Sequence, residues 1–316
     1  MAAKNACAER MSAVDLRQLN RVLELAPEDM TVTLETGLTL GALQKELTKH
    51  RQWLPIDPPN ADQISIHEVL SKNLSGPRRF GYGTIREHLI GMKVVLADGR
   101  TIKSGGRVVK NVAGYDLAKL FIGARDSLGI IVEATFKLRP VPEVECFVCR
   151  HAANVNEAKE ILRAVIDSEL TPVVLDAHRL TNEVENLALR GASVPNSARS
   201  ASGATLIVLG LAGTRAEVDW QLSLARKLGF ETETTLDYEK DFWSNATSPH
   251  HISVLSSRLM ETIEELGPRR FVARAGNGVV YFRGEPMPGS DNLPSELMRR
   301  IKSAYDPKHI LPELTL

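Results

Sequence analysis

The chain has 316 residues, enough for two domains with cores of their own, and its 43% hydrophobic and 25% charged content is that of an ordinary globular protein. Lys plus Arg and Asp plus Glu are equal at 39 each, which removes the electrostatic case for nucleic acid or an anionic membrane as a main partner. No apolar run approaches the ~18 residues of a transmembrane helix, and the first twenty residues lack a signal-peptide core, so a cytoplasmic location is expected.

Taken in chain order, Arg21 to Leu25 alternates as a strand, Pro27-Glu28-Asp29 turns, and Met30 to Glu35 alternates again, which predicts a hairpin. Thr39 is placed to cap a helix whose Leu40, Leu43 and Leu47 fall at helical spacing. That helix ends in the proline-stiffened loop 54–59. A polar turn region at 73–84 holds three glycines and the adjacent Arg78 and Arg79. Ile90 to Ala97 reads as a strand, with Asp98-Gly99 as a hairpin turn before Thr101-Ile102. Gly114 and Gly123 then flank a short helix pattern in which Leu117, Leu120 and Phe121 share a face. Ser127-Leu128-Gly129 opens onto the β-branched run Ile130-Ile131-Val132, which predicts a buried strand.

Pro140-Val141-Pro142-Glu143 reads as the domain boundary, dividing the chain into 1–140 and 141–316. Beyond it come a helix over 157–168, strands over 172–175 and 205–211, and a helix over 216–228. The stretch 182–203 reads as a helix end and a loop. A hairpin is predicted over 271–283 around Gly276-Asn277-Gly278, and a last helix over 295–305 that Asp306-Pro307 stops. The ordering is α+β. Cys146 and Cys149 form a C-x-x-C, but Phe147 and Val148 between them predict a strand, on which the two sulfurs face opposite sides. Neither a metal site nor a resident iron–sulfur cluster is expected from the three cysteines.

The loop at 55–59, the turn at 75–79 and the glycine-flanked helix at 110–129 together offer backbone amides, arginines and an apolar wall, a combination suited to a dinucleotide. The glycines alone describe a ligand-free helix–loop–strand connection equally well. There is no G-x-G-x-x-G after an N-terminal strand and no G-x-x-x-x-G-K-[ST], which disfavours a Rossmann site and excludes a P-loop.

The run DPP at 57–59, then NLSGPRRFGYGTIREHLIGMKVVLADGR and GGRVVKNVAGYDLAKLFIGARDSLGIIVEATFKLRP up to Pro140, resembles the FAD-linked oxidases of the PCMH type, also called the vanillyl-alcohol oxidase family. Within that family it looks most like the FAD-binding subunits of bacterial glycolate oxidase. The C-terminal half is similar only loosely, through GNG at 276–278 and LMRRIKSAYDPKHILPEL at the end. The resemblance implies an FAD-binding domain followed by an α+β cap domain of antiparallel sheet and helices. It implies non-covalent FAD held by Pro58, Pro59, Asn73, Ser75, Gly76, Arg78, Arg79, Tyr82, Gly83 and Arg86 on one side. Gly114, Tyr115, Asp116, Ser127, Leu128, Gly129 and Ile131 would lie toward the ribose and adenine.

Three departures stand against the family pattern. Nothing upstream of Val14 resembles its glycine-rich pyrophosphate loop, so a shortened first subdomain is expected. The family's TIGG reads Ser65-Ile66-His67-Glu68, which removes a close backbone approach and brings a carboxylate toward the phosphates. Asp126 stands where a glycine is usual, costly if that site needs a positive φ. The H-x-GDGN-x-H histidines of relatives that act on 2-hydroxy acids are absent around Arg274 to Val280, and His250 and His251 read as a surface loop. What the resemblance implies is an FAD-binding subunit of a glycolate or other 2-hydroxy acid oxidase complex, working with a second FAD-linked oxidase subunit and an iron–sulfur subunit. The alternative is a flavin-free subunit that keeps the fold without the cofactor site.

Overall fold

Two antiparallel sheets carry the chain, each with its own core. The computed structural model describes residues 15–106, 118–180, 205–244, 249–287 and 295–314. One compact unit takes Met1–Ser75, Gly83–Val141 and Asp291–Leu316; the other takes Gly76–Tyr82 and Pro142–Ser290. The chain thus changes units at Val141/Pro142, but a single cut there omits two exchanges. Residues 76–82 go to the second unit, and the last helix returns to the first.

In the first unit, strands β1 (Val22–Ala26), β2 (Thr31–Glu35), β4 (Leu89–Val95), β5 (Thr101–Gly105) and β6 (Ile130–Lys137) form a sheet in the order β1-β2-β6-β4-β5. A two-residue pair, β3 (Gln52–Trp53) with β7 (Arg139–Pro140), lies outside it. The predicted hairpin is β1–β2, and the Asp98-Gly99 turn joins β4 to β5 with Gly99 at φ 82°. Thr39 caps helix α1 (Leu40–Thr48) by accepting from Ala42 N, and Leu40, Leu43 and Leu47 are fully buried. Their spacing of three and four puts all three on the face turned to the core. Helix α2 (Ile66–Lys72) buries Ile66, Val69 and Leu70 in the same core. The 73–84 region, read as turn, instead contains a one-turn helix, α3 (Arg79–Tyr82), followed by α4 (Ile85–His88). Of the glycine-flanked helix, α5 (Ala118–Phe121) is seen; Gly114 and Leu117 lie outside the described residues.

The second unit opens on β8 (Val144–Ala152) and α6 (Val155–Ile166), then β9 (Val174–Arg179), β10 (Thr205–Gly213), α7 (Arg215–Lys227) and β11 (Thr232–Glu233). Helix α8 (Asp237–Trp243), β12 (His250–Ser253), α9 (Leu259–Glu265), β13 (Phe271–Arg274) and β14 (Val279–Phe282) complete it. Its seven strands run β11-β8-β10-β9-β13-β14-β12. Cys149 is buried and Cys146 half-buried on β8, on opposite faces as a strand dictates. His250 and His251 lie exposed on the edge strand β12 rather than in a loop. The 182–203 stretch lies outside the described residues.

The final helix, α10 (Glu296–Tyr305), packs Ile301 and Tyr305 on the first unit's core, with Tyr305 edge-on to Phe121 at 5.7 Å. Asp306 stops it. Its fully buried carboxylate accepts from Lys302 Nζ at 2.6 Å and from the Ile310 and Leu311 amides at 2.9 Å each. Burial alone would raise its pKa, but these donors outweigh it and hold the carboxyl below the usual range. Truncation by Asp306→Ala leaves the buried Lys302 ammonium without its carboxylate, a loss of about 3 kcal/mol or more by the behaviour of broken buried pairs. A urea midpoint unchanged in Asp306→Ala would contradict this role.

Candidate functional site

In the first unit, Asn73 and the loop that carries Ser127 and Leu128 meet at the C-terminal end of α2. Asn73 caps that helix in the left-handed conformation, φ 50°, and its amide donates to Leu70 O. The loop 123–129 is laced to the same helix end: Gly123 N donates to Leu70 O at 2.9 Å and Arg125 N to Ser71 O at 2.8 Å. Gly123, at φ 80°, has the Asn73 Cβ 3.4 Å from where its own Cβ would stand. Gly123, Ala124, Ser127 and Leu128 line an apolar cavity of about 180 Å³ that Met298, Ile301 and Leu314 close from the C-terminal segment.

Ser127 and Leu128 are buried, and the Ser127 hydroxyl donates to Ala124 O at 2.6 Å. Gly129 answers a packing need: a Cβ there would meet Val94 Cγ1 at 2.7 Å and the Val95 carbonyl at 3.0 Å. Ile131 is buried on β6, and its carbonyl accepts from Thr36 Oγ1 at 2.6 Å. Pro58 is buried and Pro59 half-buried in the loop before α2, Ser75 is buried, Gly83 stands at φ 84°, and Arg86 is exposed. Gly114, Tyr115 and Asp116 lie outside the described residues.

The remaining predicted residues belong to the second unit. Gly76, Arg78, Arg79 and Tyr82 fall within or beside α3. Arg78 grips Glu145 of β8 with both arms, Nε to Oε1 at 2.7 Å and Nη2 to Oε2 at 2.5 Å, and its guanidinium lies over Phe147 at 5.6 Å. A bidentate carboxylate partner occupies the fork that would otherwise suit a phosphate.

The same unit holds a buried ionic cluster that sequence reasoning missed. Arg274 Nη1 donates to Asp176 Oδ2 at 2.5 Å and to Glu239 Oε1 at 2.7 Å, while Nη2 reaches Glu239 Oε2 at 2.8 Å. Tyr238 Oη donates to Asp176 Oδ2 at 2.6 Å, Trp243 Nε1 to Glu239 Oε2 at 3.0 Å, and His178 stacks on Tyr238 at 4.3 Å. Asp176 and His178 alternate on β9 and are both buried, so the available signal was two polar residues at alternate positions after the apolar Val174-Leu175. Burial pushes the Asp176 carboxyl up to about 6 against the pull of Arg274. Burial would discharge Arg274, but the two carboxylates keep its pKa well above the usual value. Among the described residues no three His, Cys, Asp or Glu side chains are placed to hold a metal ion, and no helix is long and apolar enough to cross a membrane.

Comparison with known proteins places the first part of this geometry. The family described as "FAD binding domain" matches residues 2–105, about a third of the chain. Over those residues the chain is similar to that family, and the match begins upstream of Val14. Glycolate oxidase subunit GlcD of Bacillus subtilis is 32% identical over 160 residues, 51% of this chain and 34% of that protein. Glycolate oxidase subunit GlcE of Escherichia coli is 27% identical over 161 residues, 51% of this chain and 45% of that protein. The chain therefore spans less than half the length of either relative. An alkyldihydroxyacetonephosphate synthase structure aligns with 94% of this chain and 65% of its own at a TM-score of 0.67 and 19% identity, a likeness of fold.

The part of the chain that matches that family carries one mark of a binding site. Asn73 Oδ1 is buried with no hydrogen-bond partner among the described residues, an acceptor that a bound donor would satisfy. The acidic intrusions are each compensated. Glu68 takes Lys72 Nζ at 2.5 Å, and Asp126, at φ 64°, takes His67 Nε2 at 3.0 Å. The position of Asp126 does require a positive φ, which Asp tolerates better than most residues.

Because the Asp176 carboxyl is pushed up to about 6 in the folded protein, above the ordinary carboxylate range, the native state holds its proton more tightly than the unfolded chain. Its contribution is greatest at low pH and declines as pH rises through about 6. Relative to Asp176→Asn, the wild type loses stability across that window. Urea midpoints of the two proteins measured on either side of it test this, and the opposite trend would refute it.

Proposed function

We propose that this chain is an FAD-binding subunit of a 2-hydroxy acid oxidase or dehydrogenase complex, with glycolate the first substrate to test. The observation that carries the reading is Asn73: a left-handed helix cap with a buried, unanswered acceptor, inside a domain of the FAD-binding kind. Likeness to two different glycolate oxidase subunits supports the substrate class and a multisubunit setting.

When bound, the flavin supplies the capacity to accept a hydride equivalent and pass electrons on. The chain's residues would bind and orient it. Asn73 Oδ1 would accept one hydrogen bond, Gly123 leaves room beside it, and Ser75 and Gly83 would shape the neighbouring backbone. The Ser127 hydroxyl, already donating to Ala124 O, keeps only its acceptor side for a ligand. We place Pro58, Pro59 and Arg86, with Leu128, Gly129 and Ile131, around the same region, and Gly114, Tyr115 and Asp116 as its continuation.

Arg274 opens the segment 274–280, which has no histidine, and its guanidinium is committed to Asp176 and Glu239. It is therefore poorly suited to act as a base, and we assign proton abstraction from substrate to a second FAD-linked oxidase subunit. The three cysteines do not supply a cluster, so electrons would pass to an iron–sulfur subunit. A cytoplasmic location belongs to the same proposal.

Purified chain should show the two visible flavin absorbance bands or acquire them on adding FAD. A colourless protein that takes up no FAD, yet co-purifies with partner subunits, would support the flavin-free alternative instead. Asn73→Leu, which removes the acceptor and fills its place, should weaken FAD binding by roughly tenfold, in line with the ~1–3 kcal/mol value of a buried hydrogen bond. Fluorescence titration with FAD reads this directly, and equal affinities in the two proteins would dismiss Asn73 from the site.

A further inference from the structure

His67 stands between two acceptors. Its Nδ1 is 3.0 Å from the Ile131 carbonyl oxygen and its Nε2 is 3.0 Å from Asp126 Oδ2. A neutral imidazole carries one N–H and can serve only one of them; the imidazolium carries two and serves both. The side chains of His67 and Asp126 are 14% and 26% exposed, so little water is at hand to replace a lost bond. The two residues lie 59 positions apart, and both are places where this chain departs from the glycines of its family's pattern. We infer that doubly protonated His67 is a latch, fastening the 123–129 loop to α2 and β6, and that losing one proton releases its hold on β6.

The surroundings favour the closed state. Burial works against the charged ring. The hydrogen bond and charge of Asp126, the Ile131 carbonyl and the charge of Glu68 outweigh it, and the pKa of His67 is raised above 6.5. Glu68 is itself tied to Lys72, and Arg125, next to Asp126 on the loop, is the other cation nearby in sequence. Once the proton is lost, either Asp126 or the Ile131 carbonyl faces a bare ring nitrogen. The carbonyl still has Thr36 Oγ1, so the neutral ring keeps its one N–H on Asp126 and the tie that lapses is the one to β6. Arg125 and Asp126 are consecutive non-glycine residues at positive φ, 49° and 64°, a conformation that needs outside support.

The raised pKa fixes the sign. The stability the latch contributes is fully present below pH 6.5 and is lost as pH rises through the higher folded value. On the flavin reading above, a consequence follows for the cofactor. With His67 protonated the pair is neutral. With His67 neutral, Asp126 is a carboxylate without a countercharge on the loop that carries Ser127 and Leu128, unfavourable to an anionic ligand. Flavin retention would then weaken on the alkaline side.

The test reads the latch and the cofactor separately. The His67 ring resonance, identified by its absence in His67→Gln, should titrate above 6.5 in the wild type and move down by about one pH unit in Asp126→Asn, as expected on losing an adjacent opposite charge. Titration at or below 6.5, or an unchanged value in Asp126→Asn, overturns the latch. The urea midpoint of wild type should exceed that of His67→Gln at about pH 6, with the gap closing by about pH 9 as the imidazole loses its charge. A gap constant across that range also overturns it. The Kd for FAD should rise several-fold over the same range in wild type and stay flat in Asp126→Asn. Equal pH dependence in both refutes the link to the cofactor. Absence of FAD uptake at either pH sinks the flavin reading, while the ring titration still decides the latch.

Discussion

A buried backbone carbonyl must find a donor, and at Ile131 that requirement organises the first unit. The residue belongs to β6, the central strand of the five, paired with β2 on one side and β4 on the other. Its oxygen draws in Thr36 from the end of β2 and His67 from the first turn of α2. Through His67 the same point reaches Asp126, and so the loop that leads back into β6. A strand, a helix and the entry to that strand are thus tied at one place. Orphaning such a group costs more than forming the bond gains, which makes the arrangement hard to displace piecemeal.

Charge is handled in the same way throughout the molecule. A chain with equal numbers of acidic and basic residues could leave its charges scattered at the surface. Here several lie inside, each matched to a specific partner: Lys302 with Asp306, Arg274 with Asp176 and Glu239, and, only partly exposed, Arg78 with Glu145. Such pairs add little net stability compared with apolar replacements, but breaking one is expensive. Their effect is to fix which elements meet. Asp176, Arg274 and Glu239 join β9, β13 and α8, elements that hydrophobic contacts alone would align less strictly.

What was legible in the sequence was local. The β1–β2 hairpin, the Thr39 cap, the Asp98-Gly99 turn and the Ile130 strand each depend on residues within a few positions of one another, and each formed as the spacing implied. The strand around Cys146 and Cys149 was legible for the same reason. His67 and Asp126 were both visible as oddities, but no periodicity links residues 59 apart, so their pairing was not. Arg78 read as a cofactor contact, because its partner Glu145 lies 67 positions away and no local pattern links them. The one-turn helix α3 was hidden by glycines at 76, 81 and 83 that read as turn chemistry. For Asn73, sequence supplied the position through resemblance; only the fold supplied the buried oxygen.

The return of α10 to the first unit bears on how the molecule is made. A ribosome delivers β1 through β6 first, but their core lacks Ile301 and Tyr305 until residues 296–305 emerge. Residues 142–290, which lie between, belong to the second unit. The packing of Tyr305 on Phe121 therefore cannot form until the whole of that intervening stretch has been synthesised.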